Sequence, residues 1–321
     1  MPDPVPPPER PAVSVPDIPP VDPEIARAHT LPGWVFTSPE VFRAQREHLF
    51  TRSWHLVGDA RRLKAPGHVR PVRLMEGCLD EPLVLVHGLD GELRCLSNVC
   101  THRGALVVEG EGHLSSLRCR YHGRRFELDG RLRSMPEFDD VAGFPCAMDH
   151  LPQLPLERFG PFLFTSLDPL MPFEEWIGPV RERTEWMPLE RFRPDPAADS
   201  DYLIDANWAL YCDNYLEEFH IPYVHGRSLE ALDYEAYRTE RFRWGNLQFG
   251  MGRGEAGFEV PEGHPDRGEP VVAWYFWLFP NLMLNFYPWG LSVNIVRPLS
   301  HSRTRVSFRS WVWREELRGA G

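Results

Sequence analysis

The sequence predicts an α+β protein in which antiparallel β-sheet dominates and two domains follow one another. Short apolar runs with a period of two fill residues 66–167, and further runs of this kind follow residue 270. Windows with helical periodicity lie between these two blocks. The 321 residues are 42% hydrophobic and 25% charged, which suffices for one large core or two ordinary ones and excludes disorder or a coiled coil for most of the chain.

A proline-rich arm, residues 1–30, precedes the folded part. Ten of the 33 prolines lie within the first 23 positions without apolar periodicity, so we expect a polyproline-like or disordered segment. A helix is then predicted to begin after Ser38 as its N-cap, with Pro39 at its first position. The apolar stripe of this helix contains Phe42, Leu49, Phe50 and Trp54.

Two Asp-Gly pairs divide the first β block. Asp90-Gly91 and Asp129-Gly130 lie between short apolar runs, which is typical of tight β-hairpins. The block therefore predicts a small antiparallel β domain. Strands of a second sheet are expected at residues 202–206, 271–280, 282–289, 291–298 and 303–313.

Two helical windows lie between the β blocks. Residues 172–187 have a helical pattern at both ends, and we expect an interruption at Gly178-Pro179. The second window starts at Asn207 and is expected to continue until Pro222 ends it, because proline lacks the N–H group that a helix needs.

Charge and composition exclude several classes of function. The chain has 35 basic and 46 acidic residues, a net charge of −11, which is the wrong sign for neutralising phosphates. We therefore expect neither nucleic acid nor an anionic membrane as a partner. No run of 18 apolar residues exists, and the N-terminus lacks the features of a signal peptide, so we expect a cytoplasmic location.

Two short loops each contain one cysteine and one histidine. Cys100 and His102 form a C-x-H motif, Cys119 and His122 form a C-x-x-H motif, and sixteen residues separate His102 from Cys119. One Cys and one His per loop suit a [2Fe–2S] cluster with two Cys on one iron and two His on the other. A Cys2His2 zinc site is the alternative, although zinc sites usually pair Cys with Cys and His with His. The other four cysteines are expected to be buried thiols: Cys78, Cys95, Cys146 and Cys212.

A second group of candidate ligands lies at the end of the second helical window. Asp213, Glu217 and His220 have the spacing i, i+4 and i+7 of one helix face, and His225 follows the Pro222 break. Two histidines and one carboxylate leave open coordination positions on a non-haem iron(II). A solvated helix end with no metal is the alternative for this segment taken alone.

With both motifs in this order, the chain after residue 30 resembles the α subunits of the Rieske non-haem iron oxygenases. The segment after Asn207-Trp208 is most similar to the branch that includes choline and other quaternary-amine monooxygenases. Ala105 and Tyr121 stand where respiratory Rieske proteins have disulfide cysteines, which points to the ferredoxin or oxygenase type. The resemblance implies a Rieske domain with an N-terminal helix at 31–167, and a helix-grip-like catalytic domain with a curved antiparallel sheet at 168–321.

The same resemblance implies a role for each candidate residue. Cys100, His102, Cys119 and His122 would hold the cluster. His220 and His225 would bind the mononuclear iron, with Asp213 as a polar support beside them. Glu217 would link this iron to the cluster histidine, His122, of a neighbouring subunit in a head-to-tail homotrimer.

The third iron ligand of the family is a carboxylate on a long C-terminal helix. The only late carboxylates in this sequence are Glu315 and Glu316, which we expect to be ordinary surface charges. The third ligand is therefore expected to lie beyond residue 321, in a helix missing from this sequence, and the mononuclear iron is expected to be weakly bound or absent.

The resemblance implies the terminal oxygenase of a multi-component enzyme. A flavin reductase using NAD(P)H, or a ferredoxin, would supply electrons, and O2 would be used to hydroxylate or demethylate a small aromatic compound or quaternary amine. The alternatives are an electron-transfer protein and an inactive remnant. Aromatic residues that could cage a quaternary ammonium, or simply pack in the core, are Trp274, Trp277, Phe286, Tyr287 and Trp289.

Overall fold

The computed structural model describes residues 16–224, 233–254 and 257–319. Residues 16–30 form turns and extended chain without helix or strand, whereas the first part of the expected proline-rich arm, 1–15, lies outside the described residues. None of the helices in the described ranges is both long and apolar enough to cross a membrane.

Two helices open the folded part: α1 (Trp34–Thr37) and α2 (Pro39–His48). The side chain of Ser38 accepts a hydrogen bond from the backbone N–H of Val41, and Pro39 occupies the first position of α2. The predicted start of this helix is confirmed. It ends before Phe50 and Trp54, which are buried just beyond it.

Eleven short antiparallel strands follow, in three sheets with the orders β5-β2-β3-β4-β9, β6-β7-β8 and β1-β11-β10. The two Asp-Gly hairpins are confirmed, with Gly91 and Gly130 at φ 87° and 89°. The strands are β1 (His55–Asp59), β2 (His68–Leu74), β3 (Glu81–His87), β4 (Leu93–Ser97), β5 (Gly112–His113), β6 (Leu117–Arg118), β7 (Arg125–Phe126), β8 (Leu132–Ser134), β9 (Gln153–Leu154), β10 (Leu156–Phe159) and β11 (Phe162–Thr165).

Helix α3 (Phe173–Thr184) runs without interruption through Gly178 and Pro179, so the predicted break is wrong. Proline in a helix removes one backbone hydrogen bond. Here the buried face of α3, which includes the fully buried Trp176 and Ile177, packs into the core and outweighs that cost.

An eight-stranded antiparallel sheet forms the second half of the chain, in the order β12-β19-β18-β17-β16-β15-β14 with β13 also paired to β19. This sheet confirms the predicted α+β class. Its strands are β12 (Arg193–Pro194), β13 (Ser200–Ile204), β14 (Arg238–Phe242), β15 (Gly245–Met251), β16 (Val271–Leu278), β17 (Leu282–Tyr287), β18 (Gly290–Ser300) and β19 (Arg303–Val312).

Helices cover both faces of this sheet. Trp274 and Phe276 of β16 point to the face that packs against α3, and Tyr275 and Trp277 point to the opposite face because side chains alternate along a strand. Helix α4 (Trp208–Leu216) lies on that opposite face, hereafter the α4 face, where it buries Cys212.

Helix α4 ends earlier than the sequence predicts. Glu217 has an extended backbone (φ −116°, ψ 154°), and Pro222 lies in the first turn of a separate short helix, α5 (Ile221–Val224). A proline is tolerated there because the first N–H groups of a helix have no intrahelical partner. Asp213 and Glu217 therefore do not share one helix face.

The two halves of the chain share their cores. One cluster of buried side chains contains Phe162 and Phe164 of β11 together with Phe276 of the large sheet. A second cluster joins Leu163 to Met283 of β17. The neighbouring contact is polar, since the indole N–H of Trp54 donates to the carbonyl of Met171 at 3.0 Å.

Candidate functional site

The two Cys-His loops have matching backbone hydrogen bonds. In the first, the N–H of Cys100 donates to the carbonyl of Ala105 (2.8 Å), and that of Gly104 donates back to Cys100 (3.0 Å). In the second, Cys119 donates to Arg124 (2.9 Å) and Gly123 donates to Cys119 (3.1 Å). Gly104 and Gly123 have φ values of 71° and 75°, a conformation that glycine adopts without steric cost. Each loop therefore turns back tightly around its cysteine.

The four predicted cluster ligands come together at the tips of these loops. Cys100 and Cys119 are 3% and 1% exposed, and the rings of His102 and His122 lie 4.8 Å apart between centroids. The ring of Tyr121 packs on His122 at 3.8 Å, and both residues are exposed. The thiols thus face inward and the imidazoles lie toward the surface.

The chemistry of these donors fits a [2Fe–2S] cluster. The Nδ1 atom of His102 is buried without a hydrogen-bond partner, which is the state expected of a nitrogen that ligates a metal. Burial raises the pKa of Cys100, and the adjacent thiol of Cys119 adds to this effect, so two thiolates here need metal ions to compensate their charge. In the described ranges no three His, Cys, Asp or Glu side chains converge on one ion, but each iron of such a cluster takes only two protein ligands.

The remaining cysteines differ from the prediction in one case. Cys78, Cys95 and Cys212 are buried, and burial raises the pKa of each thiol to about 12. Cys146 is exposed, contrary to the prediction, because it caps a short turn on the surface after β8.

Glu217 and His220 meet directly after helix α4. An oxygen of the Glu217 carboxylate lies 2.5 Å from Nδ1 of His220, and the other accepts the backbone N–H of His220 at 3.2 Å. Burial alone would raise the pKa of Glu217, but these hydrogen bonds lower it below its usual value. Metal-bound histidines usually have one ring nitrogen on a carboxylate, so Nε2 would be the ligating nitrogen if His220 holds a metal.

Among the residues that the structure describes, no other predicted iron-site residue bonds this pair. Asp213 is exposed on α4. His225 lies outside the described residues. Glu315 and Glu316 form surface ion pairs with Arg318 and Arg314, as expected of surface charges.

A row of polar side chains on the α4 face is absent from the sequence prediction. Gln248, Tyr275, Asn285 and Ser292 are successive cross-strand neighbours on β15, β16, β17 and β18. Tyr215 of α4 joins this row: its hydroxyl donates to Asn285 at 2.6 Å, and its carbonyl accepts from Gln248 at 3.0 Å. The sequence signal that could have found this row is a polar residue within each of several otherwise apolar strands.

The hydroxyl groups along this row are neutral. Burial raises the pKa of Tyr215 and of Tyr287, and burial likewise raises the pKa of Tyr237, which donates to Gln248 at 3.0 Å. We call Tyr215, Tyr237, Gln248, Tyr275, Asn285 and Tyr287 the tyrosine–amide wall. It offers uncharged donors, acceptors and aromatic rings, and its member Tyr215 precedes Glu217 by two residues.

The five predicted cage aromatics divide between the two faces of the sheet. Trp274 and Phe286 are fully buried in the core on the α3 face, so simple packing explains them. Trp277 packs among the residues under α4. Tyr287 and Trp289 stack with centroids 4.9 Å apart and planes at 9°. Tyr287 belongs to the tyrosine–amide wall, and Trp289 extends it by stacking on Tyr287.

Two protein-family models match the segments that contain the candidate sites. Residues 53–145 match the Rieske [2Fe-2S] domain, and residues 184–320 match the catalytic domain of the ring hydroxylating alpha subunit. With both domains matched in this order, the chain belongs to the family of Rieske non-haem iron oxygenase α subunits. A Rieske domain implies a [2Fe–2S] cluster, and this catalytic domain implies a mononuclear iron.

The relatives of this α subunit include plant and bacterial monooxygenases. It is 28% identical over 307 residues to the chloroplastic choline monooxygenase of Arabidopsis thaliana, covering 89% of this chain and 69% of that protein. The chloroplastic choline monooxygenase of Beta vulgaris is also 28% identical, covering 91% of this chain and 63% of that protein. The carnitine monooxygenase oxygenase subunit of Escherichia coli (strain K12) is 28% identical, with shares of 90% and 76%. The α subunit thus spans about two thirds of the plant relatives' length.

Solved structures show the same fold. A quaternary ammonium Rieske monooxygenase in complex with L-carnitine has a TM-score of 0.73 and 25% identity, covering 91% of this chain and 78% of that chain. Naphthalene 1,2-dioxygenase from a Rhodococcus species has a TM-score of 0.69 at 22% identity, with shares of 88% and 73%.

Proposed function

We propose that this α subunit is the oxygenase component of a monooxygenase for a quaternary ammonium compound or a similar small amine. The observation that carries the proposal is the Glu217–His220 pair, which begins two residues after Tyr215 of the uncharged tyrosine–amide wall. The choline and carnitine monooxygenases among the relatives support the substrate class.

The proposed roles of the ligands follow from their positions. Cys100 and Cys119, inside the two loops, would hold one iron of the cluster, and His102 and His122 the other. His220, with His225, would hold the mononuclear iron, which when bound supplies the site for dioxygen activation. Glu217 fixes the orientation of the His220 ring through its carboxylate.

The wall would orient the substrate. Aromatic faces attract a quaternary ammonium group through cation–π contacts, and Tyr287 stacked on Trp289 presents such a surface. The hydroxyl of Tyr215 donates to Asn285 and its backbone carbonyl accepts from Gln248, and these two bonds hold the wall rigid. Because the wall residues are uncharged, a substrate cation would be recognised by their aromatic rings.

We further propose a reductase or ferredoxin as the electron donor and a homotrimer as the assembly. Tyr121 and His122 are exposed at the tip of the Rieske domain, and Phe219 and Tyr223 are exposed beside His220, being 73% and 88% accessible. Exposed aromatic residues at both metal sites suit a contact between subunits that brings His122 of one chain to Glu217 of the next.

The substrate proposal is tested with the reconstituted enzyme, a compatible reductase and NAD(P)H. Oxidised product is measured for choline, carnitine and 3,3-dimethylbutanol, which has the shape of choline without its charge. We expect turnover of a quaternary amine and at least tenfold less of the neutral isostere. Hydroxylation of naphthalene with both amines inert would contradict the proposal and favour an aromatic substrate.

An electron-transfer protein is the second candidate function. It is favoured by the geometry of the two cluster loops, where Cys100 and Cys119 are buried and the rings of His102 and His122 lie 4.8 Å apart. Iron analysis separates the two candidates: three irons per chain support the oxygenase, and two irons with full acid-labile sulfide support the electron carrier.

A further inference from the structure

Arg124 is a buried arginine between the two cluster loops, with an exposed fraction of 4%. Its guanidinium donates to Thr101 Oγ1 at 2.7 Å, to Asp149 Oδ1 at 3.1 Å and to Met135 Sδ at 3.4 Å. The guanidinium carbon lies 5.5 Å from the ring centre of Phe144. Arginine is seldom buried to this extent unless its charge is used or compensated.

These contacts join three separate segments around the cluster site. Arg124 belongs to the second loop, and its backbone carbonyl accepts the N–H of Cys119 at 2.9 Å. Thr101 stands between Cys100 and His102 in the first loop. Asp149 belongs to a third segment, and its own carbonyl accepts the Thr101 hydroxyl at 2.7 Å. One side chain therefore fixes both ligand loops against a common support.

The positive end of this network faces the ligand loops. The guanidinium touches Thr101, whereas the second oxygen of Asp149 accepts the backbone N–H of Cys146 at 2.9 Å, on the surface segment. The side chain of Arg124 is 4% exposed and that of Asp149 is 20% exposed. Water therefore screens the carboxylate more than the guanidinium, so Asp149 offsets only part of the positive charge of Arg124 at the loops.

We propose that Arg124 is a positioning residue that clamps the two cluster loops and, as a buried positive charge, raises the reduction potential of the cluster. The redox step is the uptake of one electron from a reductant, which is oxidised by one electron, with no bond formed or broken and no proton required. Reduction makes the cluster more negative by one charge, and a fixed nearby cation favours that state. The inference rests on the cluster and is independent of the substrate.

The test is an anaerobic redox titration of the full chain with dithionite and mediators, followed by the visible spectrum. Arg124→Gln is expected to lower the equilibrium constant for reduction about tenfold, which is about 59 mV for a one-electron couple. Arg124→Lys keeps the charge and should retain most of the potential. A lysine lacks the planar guanidinium that bonds Thr101 and Asp149 together, so the iron and sulfide content of Arg124→Lys should fall.

A matched control and a reciprocal variant make the result specific. Arg125 is adjacent in sequence but exposed, so Arg125→Gln makes the same charge change under water screening and should leave the potential unchanged. Asp149→Asn removes the negative partner and should raise the potential.

Two outcomes would overturn the proposal. One is a loaded Arg124→Gln protein with the potential of the wild type or of Arg125→Gln. The other is an Arg124→Lys protein shifted as far as Arg124→Gln, since charge would then not be the cause. If Arg124→Gln does not retain its cluster, Asp149→Asn decides, and an unchanged or lower potential in that variant overturns the proposal.

Discussion

The carboxylate of Glu217 holds both the ring and the backbone of His220, while the neighbouring Glu218 makes no such contact. The two adjacent acids therefore have different environments. Burial and the charge of Glu217 raise the pKa of Glu218, whereas hydrogen bonds lower that of Glu217. As the pH falls, Glu218 is therefore protonated before its neighbour Glu217.

This difference gives a test of the proposed electron bridge. Glu217→Ala is expected to leave the metal content unchanged but to stop electron transfer between the cluster and the mononuclear iron, because the bridging carboxylate is lost. The measurement is rapid mixing of the reduced protein with O2 and substrate, following oxidation of the cluster. Glu218→Ala is the matched control and should react at the wild-type rate; an unchanged rate in Glu217→Ala would disprove the bridge.

His55 predicts a pH dependence of stability. It is buried, its Nε2–H donates to the carbonyl of Phe50 at 2.7 Å, and burial, assisted by Arg297, lowers its pKa from 6.5 to about 4. Between these two values the unfolded chain binds a proton that the folded chain does not, so stability rises with pH through this window. The loss on going from above pH 6.5 to pH 4 is about 3 kcal/mol.

The comparison of wild type with His55→Gln isolates this effect. The glutamine amide can still donate to the Phe50 carbonyl but does not titrate. Urea denaturation between pH 4.5 and 7 should show that, as the pH falls, the free energy of unfolding decreases more steeply for the wild type than for His55→Gln. Parallel curves for the two proteins would show that His55 is not the cause.

At the scale of elements, the cluster loops are two copies of one turn, each with a glycine at positive φ. Their surroundings differ, because a Cβ atom on Gly123 would lie 3.2 Å from Pro136, whereas one on Gly104 would have no atom within 4 Å. The two turns are alike in conformation and unlike in packing.

This contrast predicts different costs for the same substitution. Gly104→Ala should lower the free energy of unfolding by about 1 kcal/mol through the positive φ alone. Gly123→Ala should cost more, since Pro136 must also move, and should retain less iron per chain. Iron analysis and thermal unfolding are the measurements, and equal losses in the two variants would contradict this account.

Local signals predicted most of the elements, and tertiary contacts decided the rest. The Ser38 cap and the Asp-Gly hairpins depend on a few neighbouring residues, so sequence patterns indicate them correctly. The helix through Pro179 depends on burial against a sheet formed 100 residues later, which no local pattern contains. The polar row on the α4 face was missed for the same reason, because its members become neighbours only when four strands pair.

At the scale of the whole molecule, two of the hydrophobic clusters contain residues from both halves of the chain. Leu163, 1% exposed, packs with residues of the large sheet, and Leu132, 6% exposed, belongs to a cluster formed only by residues of the first half. Independent domains would not share core residues in this way.

We therefore expect the two halves to unfold together. Nine of the 11 tryptophans follow residue 175, so tryptophan fluorescence reports on the second half, while visible absorption reports on the cluster. Leu132→Ala should cost about 2–5 kcal/mol and shift both signals to the same lower denaturant concentration. A shift confined to the visible signal would show that the halves unfold separately.

The shared core has a consequence for the speed of electron flow. A domain joined to its neighbour through a large hydrophobic contact does not swing on a hinge. In the proposed trimer, an electron that passes from the cluster to the next subunit would then cross a gap between two rigid chains, without waiting for a domain to swing. Raising the solvent viscosity with glycerol should leave the rate of this electron transfer unchanged. The same change should slow the steps that depend on diffusion of the electron donor to the cluster.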